Sequence, residues 1–147
     1  MIIIKPFILA CLIVKKRKDI LGKCLDSLKR ISGEIIIVDN GSTDKKKEIA
    51  KKLTDKVYDF KWMNNFAEAR NFAASKANGK WIIAIDADEC IDTNNFKEAM
   101  EEIKSYQDKI NIYLVEIMSF AGDNGEEITV NTMARLYKND ESVYFLW

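Results

Sequence analysis

Three aspartates, Asp39, Asp86 and Asp88, have the type and spacing to do chemistry. Asp39 closes the apolar run Ile35-Ile36-Ile37-Val38, while Asp86 and Asp88 close a second run, Trp81 to Ile85, with one small residue between them. That spacing lets both carboxylates reach one divalent cation, or lets one hold a cation and the other a sugar hydroxyl. Oxygen-only ligation suits Mg²⁺ or Mn²⁺ better than zinc. With no histidine in the chain and no C-x-x-C among Cys11, Cys24 and Cys90, a Cys/His zinc site cannot be assembled. An isolated D-x-D is more commonly an acidic turn than a site, and its place at the end of an apolar strand is what distinguishes this one. Arg70 is the basic candidate. Its plain alternatives are an exposed helix arginine or a partner for Glu68. The chain has neither G-x-G-x-x-G nor G-x-x-x-x-G-K-[ST], so a phosphate would have to be held by metal and basic side chains.

The elements that must position these residues follow from the hydrophobic pattern. Phe7 to Val14 is a continuous apolar run of the kind buried on both faces of a parallel sheet. Leu21, Cys24, Leu25 and Leu28 then recur at helical spacing, and Gly33 breaks the pattern before the strand Ile35 to Val38. Asp39-Asn40-Gly41-Ser42-Thr43-Asp44 reads as a strand-to-helix turn in which Ser42 or Thr43 caps a helix through Ile49, Ala50 and Leu53. Lys56 to Tyr58 is a short third strand, Phe66 to Ala77 a third helix with Gly79 suited to a left-handed C-cap, and Trp81 to Ile85 a fourth strand. Strands alternating with helices imply an α/β layer with a parallel sheet and right-handed crossovers, whose ligands bind beyond the carboxyl ends of the strands. The aspartates stand at those ends.

Beyond the fourth strand the texture changes. Thr93 is placed to cap a helix presenting Phe96, Met100 and Ile103. Ile110 to Phe120 and Glu127 to Val130 flank the glycine-bearing segment 121–125 as an antiparallel hairpin, with two more strands expected over Thr132 to Tyr137 and Val143 to Leu146. No repeat, low-complexity stretch or linker interrupts the chain, so residues 1–147 read as a single domain.

Charge and composition narrow the function classes. Lys+Arg 23 balances Asp+Glu 23, which argues against strong binding to nucleic acid or an anionic membrane. Hydrophobic residues at 48% and charged residues at 31% are ordinary for a folded globular chain. Lys5 and Pro6 interrupt the apolar N-terminus and Lys15, Lys16 and Arg17 follow it, the wrong order of charge for a secretory signal. A cytoplasmic protein with reduced thiols is expected, with peripheral attachment to the inner face of the membrane left open.

With these motifs in order, the sequence resembles the inverting glycosyltransferases of family 2. The likeness rests on Ile13-Val14-Lys15, Ile36 through Asp44, Trp62 through Ala73, and Gly79-Lys80-Trp81 through Ile85-Asp86-Ala87-Asp88-Glu89. Ala134-Arg135-Leu136-Tyr137-Lys138-Asn139 is similar to a stretch found in the subgroup of lipopolysaccharide-core and bacteriocin glucosyltransferases. The resemblance implies the GT-A fold: a Rossmann-like α/β sandwich, mostly parallel, with antiparallel C-terminal strands. It also implies a UDP-sugar donor whose uracil meets Asp39, with residues near Val14 lining the base pocket. Arg70 would face the nucleotide or its diphosphate, Asp86 the ribose or sugar, and Asp88 the metal, Mn²⁺ or Mg²⁺, that bridges the phosphates. The acceptor, whether saccharide, lipid-linked or peptide, is not identified.

The departures matter too. Lys16 and Arg17 replace the Asn-Glu common after the first strand, and the G-x-[IV]-H-E of the subgroup is missing. The chain therefore reads as the donor-binding N-terminal portion of a GT-A domain, without an evident inverting base and poorly active by itself, with Glu116 and Glu127 the first carboxylates to test. Two other classes compete. A non-catalytic nucleotide-sugar-binding or assembly module would bind without turnover. A haloacid-dehalogenase-type phosphotransferase would need Thr or Val where Cys90 stands. The apolar run Val143 to Trp147 predicts a homodimer that covers it.

Overall fold

The computed structural model describes residues 8–140 apart from 15–17, 32, 40, 42, 43, 62, 87, 92, 93, 95, 107, 108 and 122–125. Its elements are β1 (Ile8–Val14), α1 (Lys18–Lys29), β2 (Glu34–Asp39), α2 (Asp44–Leu53), β3 (Val57–Asp59), α3 (Phe66–Ser75), β4 (Trp81–Asp86), β5 (Glu89–Ile91), α4 (Phe96–Tyr106), β6 (Ile112–Ala121) and β7 (Glu127–Lys138). The strands form one sheet in the order β3-β2-β1-β4-β7-β6-β5. β3, β2, β1 and β4 run parallel, whereas β7 is antiparallel to β4, and β6 and β5 continue antiparallel. The mixed α/β class and the antiparallel C-terminal part match the sequence expectation.

The apolar runs become strands buried on both faces. All six residues of β2 are buried, as are the first five of β4. Alternation sends Ile35, Ile37, Trp81, Ile83 and Ile85 into a core with Leu25 and Leu28 of α1, Ala50 of α2 and Ile103 of α4. Ile36, Val38, Ile82 and Ala84 pack with Ala73 of α3 in a second cluster. The chain winds outward from β1 through β3, then crosses back to β4 with α3 against the opposite face. That reversal makes the gap between β1 and β4 the switch point of the sheet, where ligands of such folds bind.

Several expectations are corrected. Glu127 to Val130 and Thr132 to Tyr137 are one strand, β7, because all its residues from Glu127 to Tyr137 pair with β6 except Arg135. β5 was not anticipated; three residues carry too little pattern to stand out. Gly79 is not a left-handed cap. α3 ends on Lys76 in the right-handed region, with its N–H shared between the Ala73 and Ala74 carbonyls, and Gly79 instead offers its carbonyl to the Asn139 side chain at 2.8 Å. Among the described glycines, Gly41 after β2 is the one with positive φ, at 102°. The proposed caps Ser42, Thr43 and Thr93 and the strand expected over Val143 to Leu146 lie outside the described residues. Among the described residues, no helix is long and apolar enough to cross a membrane.

Candidate functional site

Strand register brings the candidates to one edge. Val14 pairs with Asp39, and Ile13 with Asp86, so the ends of β2, β1 and β4 are level. Asp39 and Asp86 are two strand spacings apart, roughly 10 Å. By alternation Asp39 shares the face of Ile35 and Ile37, while Asp86 shares that of Ile82 and Ala84, toward α3. Asp39 is buried, and its carbonyl accepts the Phe60 amide at 2.8 Å.

Arg70 reaches the edge from α3. Asn65 caps that helix, its side chain accepting from the Ala67 and Glu68 amides, and Asn64 before it takes a left-handed φ of 58°. Buried Ala67, Ala69 and Ala73 let α3 lie close to the sheet. The Arg70 guanidinium then meets both carboxylate oxygens of Asp86 at 3.2 Å. Arg70 therefore pairs with Asp86, 16 residues away, and sequence spacing to Glu68 is irrelevant to it. Beside this pair opens a cleft of about 480 Å³ lined by Met63, Asn64, Asn65, Phe66, Arg70 and Asp86. Its size falls in the range of small-molecule sites.

Two functional-edge residues had no role assigned from sequence. Glu89 of β5 accepts the Asp86 amide at 2.9 Å, and Arg135 of β7 donates to the other Glu89 oxygen at 3.0 Å and to the Ala84 carbonyl at 3.2 Å. Arg135 also stands 3.8 Å from Asp86. Burial pushes the Glu89 carboxyl above its ordinary value, against the opposing pull of the Asp86 amide and Arg135. The signal available in the sequence was a charged residue within an otherwise apolar strand end, Leu136-Tyr137 after Arg135, and Glu89 directly after D-x-D.

Asp88 is exposed in the turn between β4 and β5, with its carbonyl accepting the Phe120 amide at 2.9 Å. Among the described residues, no group of three or more His, Cys, Asp or Glu converges to hold a metal ion. Among the described residues, Asp86 and Asp88 are the candidate carboxylates at this turn. One or two carboxylates completed by waters and substrate phosphates is nevertheless the usual donor set for Mg²⁺, so the residues fit a cation shared with a diphosphate and do not form a protein-only cage. Glu116 and Glu127 are exposed on β6 and β7, and neither lines the cleft.

Residues 10–142 match the family model for glycosyl transferase family 2. The chain belongs to that family. Among relatives of this family-2 chain, a TPR repeat-containing protein of Synechococcus elongatus is 30% identical over 92% of the chain and 32% of its own length. The lipopolysaccharide core biosynthesis glycosyltransferase LpsC of Rhizobium meliloti is 32% identical over 69% of the chain and 38% of its own length. The chain thus spans about a third of the length of these relatives. Among solved structures, S. aureus TarS residues 1–349 in complex with UDP superposes with a TM-score of 0.69 at 18% identity, covering 95% of this chain and 50% of that one. That likeness establishes the GT-A fold for the family-2 chain.

Proposed function

We propose that this chain binds the nucleotide-sugar donor of a glycosyltransferase, a UDP-sugar, at the switch-point edge, as a single donor-binding unit spanning residues 1–147. The observation that carries this is the Arg70–Asp86 pair, held beside the cleft at the tip of β4. In this assignment Asp39 receives the uracil, the end of β1 at Val14 borders the base, Asp86 meets the ribose or sugar, and Arg70 lies against the diphosphate. Asp88 would hold Mn²⁺ or Mg²⁺. When bound, such a cation neutralises charge on the departing diphosphate.

The chain's own groups act on the same charge. Breaking the bond between the anomeric carbon and the diphosphate oxygen leaves negative charge on that oxygen, and in this assignment the Arg70 guanidinium, already held by Asp86, would offset that charge. Asp86, with its carboxylate locked by Arg70, presents an oriented acceptor to donor hydroxyls. Inversion further needs a base opposite the leaving group to take the acceptor's proton. Glu116 and Glu127 stand away from the cleft, which favours a second reading, a donor-binding module that does not turn over by itself.

Calorimetry tests the assignment. UDP should bind in the presence of Mn²⁺, more weakly after chelation or in Asp88→Ala, and in preference to GDP. Binding indifferent to chelation and to Asp88→Ala would remove the metal role, and equal affinity for GDP would remove uracil recognition by Asp39. A chain that, supplied with a UDP-sugar, transfers the sugar to an acceptor over many turnovers would discard the second reading. We also infer a homodimer. The apolar run 143–147 lies outside the described residues, but Leu114, Ile128 and Val130 expose 68%, 58% and 60% of their surface on the β6–β7 ribbon. A monodisperse monomer in sedimentation at high concentration would refute it.

A further inference from the structure

The pairing of β6 with β7 slips by one residue. Tyr113 pairs with Leu136, yet Leu114 pairs with Ala134, which leaves Arg135 as the extra residue of a β-bulge. Bulges re-aim side chains, and they recur beside functional sites. Here the bulge residue is a buried arginine, 5% exposed, next to a buried glutamate, 6% exposed.

A buried ion pair is a poor device for stability, since well-packed apolar residues of similar volume commonly do as well. What distinguishes this pair is where its remaining contacts go. Arg135 binds the Ala84 carbonyl two residues before Asp86, and approaches the Asp86 carboxylate itself. Glu89 accepts the Asp86 amide from the far side of the turn, with its other oxygen held by Arg135. The turn that carries Asp86 and Asp88 is thus clipped at both ends by one ion pair. Arginine is suited to this because its planar fork serves the carbonyl and the carboxylate at once, which a lysine ammonium on one flexible stem does less well.

We propose that Glu89 and the bulged Arg135 are positioning residues that fix the Asp86–Asp88 turn in the geometry that receives the donor. The proposal rests on the donor-site reading above for its consequence in binding, and on the contacts themselves for the clip.

The experiment uses the 147-residue chain and the paired variant Glu89→Leu/Arg135→Met, which removes both charges together and leaves neither buried alone. Amide hydrogen exchange and ¹H–¹⁵N spectra report the turn, thermal melting reports the fold, and calorimetry with UDP and Mg²⁺ reports the site. The expected result is a melting temperature near that of the wild type, exchange of the Asp86 amide faster by about tenfold or more relative to the β2 amides, and UDP affinity weaker by about tenfold. Arg135→Lys should show the same losses, because charge without the fork does not restore the clip. Unchanged shifts and protection at residues 86–89 in the paired variant would overturn the proposal, as would wild-type UDP affinity in a variant whose turn is loosened. Should the wild-type chain bind no UDP, the donor-site reading fails, and the exchange data still decide whether the clip exists.

Discussion

Ala73→Leu tests whether the close approach of α3 sets the site. Ala73 is fully buried among Ile36, Val38, Ile82, Ala84 and Tyr137, so three added carbons have nowhere to go without moving the helix or its neighbours. Overpacking of this kind costs about 1–3 kcal/mol. For a chain of this size each kcal/mol lowers the melting temperature by about 2–4 °C, so a fall of about 2–12 °C is expected. The same displacement reaches the ligand edge. Arg70 meets Asp86 at 3.2 Å, and moving α3 outward by about 1 Å would stretch that contact past hydrogen-bond range. Losing a charge-assisted bond worth about 1.5–3 kcal/mol should weaken UDP binding by about tenfold or more. Ala99→Leu, the same change at an exposed position of α4, should shift stability by less than about 0.5 kcal/mol. Scanning calorimetry and titration with UDP read both effects. An Ala73→Leu protein that melts within about 1 °C of the wild type and binds UDP equally well would refute the packing argument.

Asn65→Ala removes the acceptor for two α3 amides and should cost about 1 kcal/mol in thermal melting. A smaller loss in Asn65→Asp would tie the effect to capping. Glu89 supplies a pH signature of defined sign. Its folded-state carboxyl titrates above the ordinary value of 4.5, chiefly through burial, so the folded state holds the proton more tightly than the unfolded chain. The associated stabilisation is complete below pH 4.5 and is lost as pH rises through the folded value. Glu89→Gln should therefore flatten the decline in stability above pH 4.5, measured by urea unfolding across a pH series. A decline of the same slope in the variant would show that Glu89 is not its source.

The parallel half of the fold was legible because burial on both faces leaves a direct mark. The apolar runs ending at Val14, Val38 and Ile85 had to be strands of a covered sheet, and the aspartates following the last two had to stand at its carboxyl edge. Family membership was legible in the ordered motifs from Ile13 to Glu89. The antiparallel half was less so. The exposed positions of β7 from Glu127 to Thr132 blur any apolar alternation, so one strand read as two, and the three residues of β5 left no pattern at all. Tertiary structure alone decided the partners of charge. Arg70 could reach Glu68 by helical spacing, yet α3 docks through its alanines with Arg70 over Asp86. Arg135 and Glu89, 46 residues apart, meet because a bulge turns one strand by a single register step. Local sequence specifies which backbone a segment prefers, since that depends on neighbours along the chain. Which charges neutralise one another depends on packing distance and strand register, and those are fixed only when the whole sheet has assembled.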